Sequence, residues 1–179
     1  MFINHAQDRI DFLNKMERRL TCQVNARNQV NQMINEWLPK IKAVLQPWIG
    51  QKVSLVTGGK TAKVREQLNQ LGLPSERQKQ ITVSFDNYTA KAFFRVGVSI
   101  GDQSKSAEET CYLGDLINGF VLKDLHYEHS TYKTNYDKED VIKARNALNK
   151  ALKDAEEAFS SVISSARSAL YPFSEHDNF

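Results

Sequence analysis

Residues 13–48 read LNKMERRLTCQVNARNQVNQMINEWLPKIKAVLQPW. Leu13, Met16, Leu20, Val30, Ile34, Trp37, Ile41, Val44 and Trp48 fall on one series of three- and four-residue steps, with Gln23 and Arg27 in the two remaining slots. That spacing is the seam of a coiled coil, whose knobs repeat every 3.5 residues. It predicts a long helix over 5–49. Pro39 is expected to kink or restart this helix, because proline lacks an N–H and clashes with the preceding turn, and Pro47 to end it. An amide-rich stretch, Gln23 to Gln32, interrupts the apolar face. Polar seam residues of this kind fix register and partner number at a cost in stability. A straight run of about 34 residues would be about 50 Å long and needs a neighbour to cover it.

The other end of the chain supplies one. Residues 137–171 read as a second long helix, with Asn135 as its cap and Asp137, Glu139 and Asp140 where the helix dipole favours anions. Val141, Leu148, Leu152, Ala155, Phe159, Val162, Ala166 and Ala169 repeat the three-four spacing, with Arg145 as a polar member. Ala147, Ala151, Ala155 and Ala158 keep the helix thin, which predicts close approach by large side chains such as Met16, Leu20, Ile34 and Trp37. Pro172 is expected to stop it, leaving 172–179 as a tail.

Between the helices, over 52–128, the period switches to two. Lys52–Val56 reads as a strand, Thr57-Gly58-Gly59 as a turn, and Lys60–Leu71 as an amphipathic helix stopped by Gly72 and Pro74. Ile81–Asp86, Lys91–Ile100, Glu108–Ile117 and Phe120–Tyr127 read as antiparallel strands. Asn118-Gly119 predicts a two-residue hairpin turn between the last two, because a type I′ turn needs positive φ at both positions. The expected fold is α+β: two long antiparallel, coiled-coil-like helices, a small central antiparallel sheet and one short helix, in a single domain over 1–171.

Composition bounds the function. The 179 residues carry 41% hydrophobic and 25% charged side chains, enough to bury a core. No apolar run approaches the roughly 18 residues of a membrane span. The start, MFINHAQDRIDF, lacks the pattern of a secretory leader. Two cysteines, Cys22 and Cys111, make neither a disulfide framework nor a cysteine zinc site, so a cytoplasmic setting is expected. Residues 1–100 hold fifteen Lys and Arg against seven Asp and Glu, while 101–179 hold nine against fourteen. A basic first part suits an anionic partner, or the acidic part of the same or another chain.

Three groups of residues offer chemistry. Ser54 to Thr61 runs strand, Gly turn, Lys-Thr, helix, near the pattern of a phosphate loop. Ser54 stands where that loop has its first Gly, which leaves the turn too short to wrap a triphosphate. Its remaining use is an anion resting at the helix start beside Lys60, Lys63 and Arg65. A two-residue turn at Asn118-Gly119 would pair Cys111 with His126 and Glu109 with Glu128, and set Asp124, His126 and Glu128 on one face. Such a face suggests a divalent metal or a thiol nucleophile, although a solvated surface needs only the same residues. The strand face of Lys91, Phe93 and Arg95, with Tyr88 at the turn, is suited to stacking bases or gripping phosphate.

No motif identifies a family, and no catalytic residue, metal or cofactor is implied. The leading expectation is a non-enzymatic adaptor or inhibitor that binds a protein partner, with a homodimer as one form. Lys60, Lys63, Arg65, Tyr88, Lys91, Phe93 and Arg95 are the candidate partner- or phosphate-binding residues. A nucleic-acid-binding accessory protein using the basic first hundred residues is the second expectation. A metal-dependent hydrolase on the last hairpin is the third.

Overall fold

The computed structural model describes residues 2–51, 60–85, 89–117, 121–122, 125–127 and 138–174. The order is α1 (Phe2–Leu45), a 3-10 turn (Gln46–Trp48), α2 (Lys60–Gln70), β1 (Lys79–Phe85), β2 (Thr89–Ile100), β3 (Gln103–Ile117), β4 (Val121–Leu122) and α3 (Lys138–Ser174). Two long helices, a short one and an antiparallel sheet make the architecture α+β, as the sequence predicts. The expected strand at 52–56 and the turn at 57–59 lie outside the described residues. The chain divides into two compact units, Arg19–Lys133 and Met1–Arg18 with Thr134–Phe179.

In the first of these, four strands lie in sequence order, β1-β2-β3-β4. β2 and β3 form the longest ladder, from Thr89 opposite Asp115 to Ile100 opposite Gln103. Only Gly101 and Asp102 separate the paired ends, and Gly101 takes φ 59, a conformation that costs glycine little. This turn sets the start of β3 five residues earlier than the apolar pattern predicts, because Gln103 to Ala107 is mostly polar. A bulge sits between Ala90 and Lys91, where buried Gly114 adopts φ 145.

Strand alternation then sorts the side chains. Ala90, Ala92, Phe94 and Val96 of β2, Ile81 of β1, and Cys111 and Leu113 of β3 are buried on one face. They join Val30, Met33, Ile34, Leu38, Ile41 and Leu45 of α1 and Val64 and Leu68 of α2 in one core. Phe94, Ile41 and Leu45 are its largest fully buried side chains. The Trp48 indole N–H donates to Gln67 at 3.1 Å, which ties the end of α1 to α2.

Two expectations about α1 need correction. The buried stripe passes through Cys22, Ala26, Val30, Ile34, Leu38, Ile41 and Leu45, while Trp37, Val44 and Trp48 are only partly buried. This half of α1 shares its core with a sheet and with α2, so nothing holds its apolar face to the 3.5-residue repeat of a supercoil. Ile34 and Trp37 thus serve the core beneath the sheet. The helix also continues through Pro39 to Leu45. Pro39 is exposed, so the carbonyl that loses its partner there faces water.

In the other unit, α3 pairs with the first turns of α1. Ile10 and Val141 are buried, and the Arg145 guanidinium donates to the Glu17 carboxylate. Leu148 and Leu152 are half-buried. Beyond Leu152 every described side chain of α3 is exposed, Ala155 and Ala158 included. Ala147 and Ala151 are exposed as well. The alanines expected under large knobs therefore face water in the single chain. α3 also runs two residues past Pro172, to Ser174.

Truncating Phe94 should expose how much the sheet depends on its covered face. Phe94→Ala is expected to cost about 3–5 kcal/mol, as large-to-small core changes do. Tyr112→Ala, on the open face, should stay within about 0.5 kcal/mol. Urea unfolding followed by far-UV circular dichroism measures both.

Candidate functional site

The uncovered face of the sheet gathers three of the residues singled out from the sequence. Thr82, Phe93 and Thr110 lie in register across β1, β2 and β3, flanked by Ser84, Lys91 and Tyr112 on one side and Gln80, Arg95 and Glu108 on the other. The Lys91 ammonium stands 5.6 Å from the centre of the Tyr112 ring, and Tyr112 is 54% exposed. Such a pair presents an aromatic face with a cation above it. The Arg95 Nε lies 3.2 Å from a Glu108 carboxylate oxygen, so part of its charge is matched within the sheet.

Toward the hairpin tip this face opens into a shallow polar groove of about 510 Å³, lined by Arg77, Gln78, Arg95, Ser99, Ser104 and Lys105, among others. Arg77, Arg95 and several hydroxyls make it suited to an anionic ligand, while Lys105, opposite Val98, belongs to the other face of the ladder. Arg77 and Tyr112 were not legible as site residues. The first lies in a polar stretch without period, and Tyr112 reads as one more strand residue until its register is known.

The remaining candidates do not join this face. Lys63 and Arg65 are exposed on α2, and Arg65 lines a second groove, of about 500 Å³, between α2 and β1. Lys60 begins α2. Tyr88 and the loop from Ser54 to Gly59 lie outside the described residues.

The last hairpin is paired differently from the expectation. Leu116 opposes Leu122 and Ile117 opposes Val121, so three residues, 118–120, separate the paired ends. A shift of one residue moves every side chain to the other face. Carried back along β3, this register sets Cys111 opposite Tyr127 instead of His126. Cys111 is fully buried, and the Tyr127 hydroxyl donates to its sulfur. Burial pushes the Cys111 thiol up to about 11, reinforced by the nearby Glu109 carboxylate and opposed by the Tyr127 hydrogen bond and by Lys42. Burial first, and then the Cys111 thiolate charge, push Tyr127 up as well. His126 is exposed. A thiol held neutral and away from water is no nucleophile, so the Cys111–His126 pairing is overturned. Asp124 and Glu128 lie outside the described residues, among which no cluster of three metal-ligating side chains occurs.

In the helical unit, the exposed part of α3 presents a different surface. Phe159 is 63% and Val162 65% exposed, and Ile163 and the alanines at 155, 158 and 166 are exposed beside them. Among the described residues, no helix is long and apolar enough to cross a membrane.

Comparison of the chain with family models, with curated proteins and with solved structures gave no match.

The state of the thiols can be read in solution. Cys22 is also fully buried and donates to the Gln103 carbonyl oxygen at 3.4 Å. Neither cysteine should react with an aromatic disulfide reagent at about pH 8 until the chain is unfolded. The unfolded Cys111 thiol ionises near pH 9 and the folded one near 11, so stability should fall as pH rises through that window. Tyr127 acts in the same direction above about pH 10. Cys111→Ala should flatten the part of the slope that begins near pH 9, measured by urea midpoints across the range.

Proposed function

We propose that the protein is a non-enzymatic interaction protein, of adaptor or inhibitor type, which binds a macromolecular partner through the uncovered half of α3. One observation carries the reading. The seam that is buried at Val141 and half-buried at Leu148 and Leu152 continues along α3 as Ala155, Phe159, Val162 and Ala166, all exposed. Large apolar side chains in a continuous exposed stripe mark interaction sites, because a single exposed residue is ordinary and a periodic row is not. A helix face of this kind is read by another helix or by a groove. Two buried, free thiols fit a reducing compartment, and we place the protein in the cytoplasm on that ground.

A second reading, a nucleic-acid-binding accessory protein, draws support from the groove around Arg77 and Arg95 and from Lys91 over Tyr112. Contacts of that kind fall on phosphate and on base faces, so binding would be salt-sensitive and indifferent to sequence.

The two readings separate by experiment. A photo-crosslinking amino acid at Val162, introduced in the source cells, should give a discrete adduct, and the same residue at Lys150 should give none. No adduct from Val162 would sink the leading reading. For the second, fluorescence anisotropy with duplex and single-stranded DNA should show binding that weakens steeply with salt. Changing Arg77, Lys91 and Arg95 to Glu should abolish it without unfolding the sheet. An unchanged affinity in that variant would remove the open face from consideration.

A further inference from the structure

We infer that the partner of the uncovered α3 seam is a second copy of this chain, docked antiparallel to the first. This rests on the interaction reading above and names the occupant of that surface. Three observations carry it.

The first is continuity. Val141, Arg145, Leu148, Leu152, Ala155, Phe159, Val162, Ala166 and Ala169 form one unbroken three-four series. Its first part already makes a helix–helix contact, with Val141 buried, Arg145 paired to Glu17, and Leu148 and Leu152 half-buried. The second part repeats the spacing, and its described side chains are exposed. A surface built to meet a helix in one half is built to meet a helix in the other.

The second is size. Antiparallel helices stack their seam positions in alternating layers, with each three-residue step facing the same step run backwards. Here that sets Phe159 of one chain against Val162 of the other, twice, at the centre. Ala155 meets Ala166 on either side, and Leu152 meets Ala169 at the ends. Large side chains fill the middle layers, and small ones let the helices close around them. On one flank stand Ala151, Ala158 and Ser165, short enough not to hold the helices apart.

The third is charge. On the other flank stand Glu156 and, one step further round the helix, Arg167. Antiparallel pairing brings Glu156 of one chain and Arg167 of the other to the same flank, about 3 Å apart along the axis. Parallel pairing leaves them about 16 Å apart. The contact spans about 25 Å of helix, short for a stable complex, so association is expected to be weak.

Sedimentation equilibrium of the purified chain tests this from about 5 μM to about 1 mM. Wild type should pass from monomer to dimer. Val162→Glu should weaken association at least tenfold while circular dichroism stays unchanged. Arg167→Glu should weaken it several-fold, and Glu156→Arg added to it should restore it. An equimolar mixture of Ala155→Cys and Ala166→Cys chains, oxidised, should give the mixed disulfide in preference to either symmetric one. A strict monomer at every concentration overturns the inference, and a Val162 crosslink to some other protein would then leave the interaction reading standing. Symmetric Ala155→Cys disulfides overturn the antiparallel arrangement.

Discussion

The burial of β2 against α1 is the contact on which the larger unit depends. A four-stranded sheet with one apolar face has no stability until that face is covered. Phe94 supplies the bulk of the cover from the sheet side, and Ile41 and Leu45 supply it from the helix, all three withdrawn from water. Ala90 and Ala92 beside Phe94 let the helix settle low on the strand. The open face is a by-product of the same arrangement. Strand alternation that buries Phe94 must turn Phe93 and Arg95 outward. Its chemistry is therefore held in place by the core without belonging to it.

Much of this was written in the sequence, and the failures have physical causes. The long helices, α2 and the paired strands follow from period alone, since 3.5 and 2 are far apart. Pro39 does not restart the helix, and it lies on the exposed side of α1. The alanines of α3 misled because small residues look alike whether they lie beneath a neighbour or wait for one. The amide-rich middle of α1 follows from what it meets. Cys22 and Ala26 take the buried positions there, so Gln23 and Arg27 are left at the margin.

The candidate site was less legible, because it hangs on register. Asn118-Gly119 is a strong turn signal, yet the ends pair one residue further apart than it predicts. That single step exchanged His126 for Tyr127 beside Cys111, so one alternative for the hairpin, a Cys–His pair, gives way to a sealed core contact. Lys91, Phe93 and Arg95 were found together because they share one strand and need no register to be neighbours. Tyr112 and Arg77 come from other segments and became visible only once the ladders were known.

The strand order carries a kinetic consequence. Because β1 to β4 neighbour one another in space as they do along the chain, most contacts of the sheet are local. Contact order, more than stability, sets the folding rate of small domains. The hairpin closed by Gly101 and Asp102 can zip from its tip with little loop-closure entropy. The long-range step is the docking of Ile41 onto Phe94, across the chain between them. Docking of α1 onto the sheet is therefore the step that must close the longest loop in this unit, whereas the ladders can zip without it.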